Sequence, residues 1–198
     1  MLPSAQPPKK VQRRALSRPD TQQRSGACPG ELSGQWESPQ LIVPVHSAHP
    51  NTAYGRSTFG EASSTISTVF SFNIPAEDDG KTCTLVFLFP DRHEDVAASS
   101  NMTGSGEIEF SRLDGAMGKK TTQNTVSDIV HSYKKVTVAR SNAYKIESFA
   151  CTGGQDVAVE LSSVPGSKTE LRFLQDSNSD ACALGLYILK SSTGDVEL

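Results

Sequence analysis

The chain has 198 residues, of which 36% are hydrophobic, 7% aromatic and 21% charged, with a net charge of -3. That length suits one medium domain with a tail, or at most two small domains, and no apolar run reaches the roughly 18 residues of a membrane helix, so no membrane span is expected. Before Cys28, Lys9, Lys10, Arg13, Arg14, Arg18 and Arg24 face the single acid Asp20, so the tail carries +5 and the remainder -8; a mildly acidic folded part lacks the basic footprint of a nucleic-acid binder.

Residues 1–27 read as a disordered basic tail or propeptide. Pro3, Pro7, Pro8 and Pro19, many glutamines and almost no apolar side chains give it the composition of an unfolded segment. No apolar signal-peptide core follows Met1. Arg13 and Arg14 resemble a dibasic processing site, which makes the tail a propeptide. The alternative is a basic leader on a cytosolic or nuclear protein, with Lys9-Lys10-x-x-Arg13-Arg14 as a weak nuclear import patch. The cysteines favour the first.

Ordered structure is expected from Cys28, with residues 28–198 as a single domain. Trp36 precedes Leu41–Val45, a strand that Pro44 marks as an edge or a bulge. Residues 46–63 carry Pro50, Gly55 and Gly60 and read as a long surface loop. Ile66, Thr68, Phe70, Phe72 and Ile74 then alternate with Ser67, Val69, Ser71 and Asn73, the period of a half-buried strand. Pro75-Ala76-Glu77-Asp78-Asp79-Gly80 reverses the chain, and Thr82–Phe89 follows, apolar on both faces and so central and covered twice. A central hairpin from Ser64 to Pro90 is the expectation. Its side chains Leu85–Phe89 with Phe72 supply on the order of 10 kcal/mol gross at about 25 cal/mol per Å².

Asp91–Ser105 is polar and turn-rich. Further strands are predicted at 106–110, 135–139, 143–150, 156–161, 170–174 and 183–189, while Val126–Tyr133 has room for one helical turn. Eight or nine short strands with no amphipathic helix between them predict an all-β fold, an antiparallel β-sandwich or jelly roll.

Cys28, Cys83, Cys151 and Cys182 form no Cys-x-x-Cys pair, so a zinc knuckle is not indicated. An even number spread through a turn-rich chain fits two disulfides made in an oxidising compartment, against the alternative of buried free thiols. Of three connectivities we favour Cys83 with Cys151, each in or beside an apolar strand, leaving Cys28 for Cys182. Asn101-Met102-Thr103 is the only glycosylation sequon, meaningful in a secreted protein.

No catalytic, cofactor-binding or metal-binding residue is expected. His46 and His49 are three apart, and Asp91, Arg92, His93, Glu94 and Asp95 form a polar run, but no spacing brings them together, so they read as exposed loop residues. Glu77-Asp78-Asp79 lacks the spaced ligands of a calcium loop and reads as a solvated turn. There is no Gly-x-Ser-x-Gly elbow and no phosphate loop. A glycan-active enzyme, the third reading, needs two carboxylates about 5–10 Å apart in a cleft.

Several blocks taken in order carry a resemblance: Leu41–Val45, Ala53-Tyr54-Gly55, Phe72–Pro75, Gly80–Pro90, Gly104-Ser105-Gly106, Phe149-Ala150-Cys151, Leu171–Asp176 and Leu184–Ile188. The chain resembles, over about Trp36 to Leu189, the fungal ubiquitin-3-binding protein "But-two" C-terminal domain family. The resemblance implies a mostly fungal, often secreted or wall-associated protein with no established catalytic residues. Asp180-Ala181-Cys182 departs from the proline-containing segment expected there. The expectation is a non-catalytic secreted or cell-surface protein that binds cell-wall polysaccharide or a protein partner. Its alternative is a cytoplasmic adaptor for the activating enzyme of a ubiquitin-like modifier. An exposed aromatic row supports glycan contact, whereas a fully buried Trp36 and Tyr54 with no groove counts against it.

Overall fold

The computed structural model describes residues 32, 34–90, 100–115, 117–176 and 182–192. The tail, Arg13, Arg14 and Cys28, and the run 91–95, lie outside the described residues. The strands are β1 Gln35–Glu37, β2 Leu41–His46, β3 Phe59–Ala62, β4 Ile66–Asn73, β5 Thr82–Phe89, β6 Ser100–Thr103, β7 Glu107–Leu113, β8 Ile129–Thr137, β9 Asn142–Ala150, β10 Asp156–Ser163, β11 Glu170–Leu174 and β12 Gly185–Ser191. They build three antiparallel sheets ordered β1-β12-β5-β9, β2-β4-β10-β7-β8 and β3-β11-β6, arranged like a sandwich. Among the described residues there is no α-helix; Ala76–Asp78 forms a short 3-10 turn. The all-β antiparallel expectation holds, and Pro44 does lie on an edge strand.

The expected central hairpin does not form. β4 belongs to the five-stranded sheet and β5 to the four-stranded one, so the turn at 75–80 carries the chain from one layer to the other. The apolar faces explain this. Phe70, Phe72 and Ile74 on one segment and Cys83, Leu85, Phe87 and Phe89 on the other are all 0% exposed and share one core. Placed face to face, each row buries the other; side by side, both would still need a covering layer. Phe87 sits at the middle, with ring centroids 5.2 Å from Phe173, 5.8 Å from Phe110 and 5.9 Å from Phe89. The other face of β5 is covered too: Val86 and Leu88 pack with Tyr187 and Leu189 beneath Leu32 and Trp36.

Three further expectations are corrected. The segment read as a loop at 46–63 contains β3, the segment at 91–105 contains β6, and the segment at 126–133, with room for a helical turn, enters β8 at Ile129. β3 is short and contains Gly60, which weakens any strand signal. The glycine is needed because a Cβ there would lie 2.3 Å from the Phe173 ring and 2.7 Å from the Phe70 ring. β8 hides its period differently. Its register against β7 passes over Val130 and Tyr133, two bulges that break the alternation a strand shows in sequence.

A disulfide ties neighbouring strands β5 and β9 of one sheet, and polar side chains just after β11, in another, tie it to β12. Cys83 and Cys151 are joined, 68 residues apart with Cα atoms 5.1 Å from each other, as expected. Cys182 is also disulfide-bonded, and its expected partner Cys28 lies outside the described residues. The side chains of Gln175 and Asp176 accept the backbone N–H groups of Leu186 (2.9 Å) and Leu184 (3.1 Å), and the Tyr187 hydroxyl donates to the carbonyls of Asp176 and Leu184. Buried backbone groups that enter no ladder are thereby satisfied.

Candidate functional site

β8 and β9 are edge strands of the two large sheets and meet along a seam, and β8 carries two exposed aliphatic side chains. Ile129 and Val130 are 56% and 58% exposed, more than other large hydrophobic side chains among the described residues. The bulge at Val130 turns that side chain out of the alternating pattern. Next along β8, His131 lies 5.4 Å from Tyr133, and Tyr133 stacks on Phe149 of β9 at 6.2 Å with planes 8° apart. The Arg112 guanidinium stands 5.7 Å from the Phe149 ring. This row of rings bridges the edge strands β8 and β9.

The seam is cationic. Lys134, Lys135, Lys145 and Arg112 surround it, and the Lys134 Nζ donates to the Lys145 carbonyl across the seam at 2.9 Å. Lys135 reaches Glu109 at 3.6 Å. A cavity of about 310 Å³, lined by Lys134, Lys145, Ile146, Glu147 and Ser148, opens beside it. Burial pushes the Tyr133 phenol above its ordinary value, against the opposing hydrogen bond and charge of Arg112. The hydroxyl therefore stays protonated at neutral pH and can donate. The arrangement offers apolar contact, ring faces and positive charge.

The residues singled out in sequence fall in other places. His46 and His49 do come together, with ring centroids 5.0 Å apart, and Tyr54 stacks on His46 at 5.9 Å. The His46 Nδ1 accepts the Ala48 N–H at 3.2 Å. Tyr54 is 45% exposed, so the three rings form an open row. Among the described residues no group of three or more His, Cys, Asp or Glu side chains is placed to hold a metal. Trp36 is half-buried, edge-on to Tyr187 at 5.7 Å, and so joins no exposed row. Asn101 is exposed on β6.

The solvated reading of Glu77-Asp78-Asp79 is wrong for its middle residue. Asp78 is 1% exposed. Its carboxylate accepts from Lys190 at 2.5 Å and Lys81 at 2.6 Å, while Lys190 also donates to Glu37 at 2.7 Å. Burial alone would raise the Asp78 pKa, but the two ammonium groups hold it below the ordinary carboxylate value. Burial likewise opposes the charge on Lys190, and its hydrogen bonds to Asp78 and Glu37 leave its pKa raised. Sequence gave no sign of this cluster, because Lys190 is 112 residues from Asp78 and 153 from Glu37. It ties β1, β12 and the 3-10 turn together, away from the open seam. The seam itself was missed because bulges scramble its period and its rings come from separate strands.

A family model described as the ubiquitin 3 binding protein But2 C-terminal domain matches residues 37–179, well over half of the chain. Comparison with the curated proteins finds no match.

Proposed function

The chain belongs to the ubiquitin 3 binding protein But2 C-terminal domain family, and from that membership we propose that it is a non-catalytic binding domain of a fungal cell surface or secreted fraction. Its partner is a protein that seats apolar side chains on Ile129, Val130 and the His131–Tyr133–Phe149 row, with acidic groups meeting Lys134, Lys135 and Arg112. The family is not a known enzyme family, and its printed description is of a protein binder. The observation that carries the reading is the pair Ile129 and Val130, more than half exposed on the edge strand that also carries His131 and Tyr133. Apolar patches rimmed by polar charge mark protein contacts. Two lysines on the same edge strand discourage a second copy of this chain from pairing there. The buried Cys83–Cys151 bridge supports the oxidising compartment, and Cys28–Cys182 is the pairing proposed beside it.

A second reading rests on the exposed Tyr54–His46–His49 row, which suits stacking on a sugar ring in wall polysaccharide. Both are tested with the oxidised chain immobilised against ubiquitin, ubiquitin-like modifiers, their activating enzyme, extracted surface proteins, and insoluble chitin and β-glucan. The protein reading expects a partner whose affinity falls at least about tenfold, or about 1.4 kcal/mol, in Ile129→Ser with Val130→Ser, and is unchanged in Tyr54→Ala. Retention on polysaccharide that Tyr54→Ala abolishes supports the glycan reading instead. Binding of the activating enzyme only after reduction supports the cytoplasmic adaptor.

A further inference from the structure

On the three-stranded sheet, Glu61, Arg172 and Asn101 lie in one cross-strand row, Arg172 being the register partner of both others. Side chains at these positions face outward, since Gly60, Ala62, Leu171 and Phe173 take the buried positions between them. The Arg172 guanidinium lies 3.4 Å above the Phe59 ring centroid, and its Nε donates to Glu61 at 2.8 Å. Ring and carboxylate therefore hold a planar donor group flat on the sheet surface. A shallow groove of about 300 Å³ runs beside it, lined in part by Glu61, Ser63, Ile66, Asn101, Glu170 and Arg172. Asn101 and Thr103 are both exposed, on the same face of β6, with the non-proline Met102 between them. β6 is an edge strand, whose outer side is covered by no other strand among the described residues.

We propose that Asn101 carries an N-linked glycan whose first N-acetylglucosamine lies in this groove against Arg172. The inference rests on the extracellular reading above, since the sugar is added only on the secretory route. The Asn101 Nδ2 attacks the anomeric carbon of a lipid-linked oligosaccharide diphosphate. The new N–C bond forms as the C–O bond to phosphate breaks, Nδ2 gives up one proton, and the lipid diphosphate leaves. Thr103 supplies the hydroxyl the sequon requires. Once attached, the sugar sits next to Arg172, whose guanidinium donates to the acetamido oxygen, while Glu170 accepts from ring hydroxyls. The glycan then shields the open side of β6, one of the ways an edge strand is kept from pairing with another chain.

The test expresses the full chain behind a heterologous signal peptide in a yeast secretory host and measures intact mass before and after endoglycosidase H. One glycan is expected on the wild type and Thr103→Ser, and none on Asn101→Gln or Thr103→Ala. An exported, disulfide-bonded protein bare at Asn101 overturns the site and leaves the extracellular reading standing. Free thiols at Cys83 and Cys151 in the exported protein overturn the extracellular reading, whatever the sugar shows. For the seating, the form trimmed to one N-acetylglucosamine is compared with Asn101→Gln by hydrogen exchange. Amides of β6 and β11 should exchange about fivefold more slowly with the sugar present, as one added net hydrogen bond gives, and Arg172→Ala should erase the difference. Equal exchange with and without the sugar overturns the seating.

Discussion

Lys190→Met probes a buried charge cluster among the described residues. The Lys190 side chain is 7% exposed and that of Asp78 2%, with contacts of 2.5 Å to Asp78 and 2.7 Å to Glu37. Methionine keeps most of the volume, so the loss is electrostatic. Removing one partner of a buried pair costs about 3–5 kcal/mol, because the other charge is stranded. Here Lys81 still holds one Asp78 oxygen, and Glu37 at 26% side-chain exposure can take water, so the lower end, about 3 kcal/mol, is expected. For a chain of this length that lowers Tm by about 6–12 °C. Urea unfolding at pH 7, in low salt and in 1 M salt, measures it, and burial predicts little change with salt. A loss under about 1 kcal/mol, or one that salt removes, belongs to a surface pair and refutes the reasoning. The pH dependence has a definite sign. Asp78 is held below 3.8 in the folded state, so its contribution is present above that value and is lost as pH falls through the lowered folded value. Lys190 is held above 10.5, so its contribution is complete below that value and is lost as pH rises through the raised one. Lys190→Met should shrink both limbs.

Phe87→Ala empties the middle of the shared core and should cost about 3–5 kcal/mol in urea unfolding; a loss under about 1 kcal/mol would mean the two layers do not meet at Phe87. Replacing Cys83 and Cys151 together by alanine opens a 68-residue loop, and chain entropy sets the loss at about 4 kcal/mol, measured against the oxidised wild type. Gly60→Ala drives a methyl into the Phe173 and Phe70 rings and should destabilise by about 1–3 kcal/mol, whereas Gly118→Ala, which meets open space, should be close to neutral.

What could be read in the chain beforehand was whatever depended on local period. The alternation from Ile66 to Ile74 and the two-sided apolar run from Thr82 to Phe89 located β4 and β5, and Pro44 located an edge. The same residues gave the wrong pairing, because a reversing turn looks alike whether it joins neighbours in one sheet or crosses between two. β3 and β6 are four residues each, too short for alternation to register, and Gly60 is required by rings that arrive from β4 and β11. β8 was misread where bulges at Val130 and Tyr133 interrupt the pattern. The seam depends on Tyr133 meeting Phe149, and the Asp78 cluster on Lys190 meeting Glu37; proximity of that kind has no local signature. The Leu171–Asp176 and Leu184–Ile188 blocks meet in space, where Gln175 and Asp176 accept backbone N–H groups of the second block.

The central claim is an oxidised sandwich working outside the reducing cytoplasm. It is tested most directly by alkylating the protein in its own cells before any reduction and mapping the cysteine peptides. The account predicts the Cys83 peptide linked to that of Cys151 and the Cys28 peptide linked to that of Cys182, with no label on any of the four. Label on Cys83 and Cys151 would contradict it and place the chain among reduced, cytoplasmic proteins.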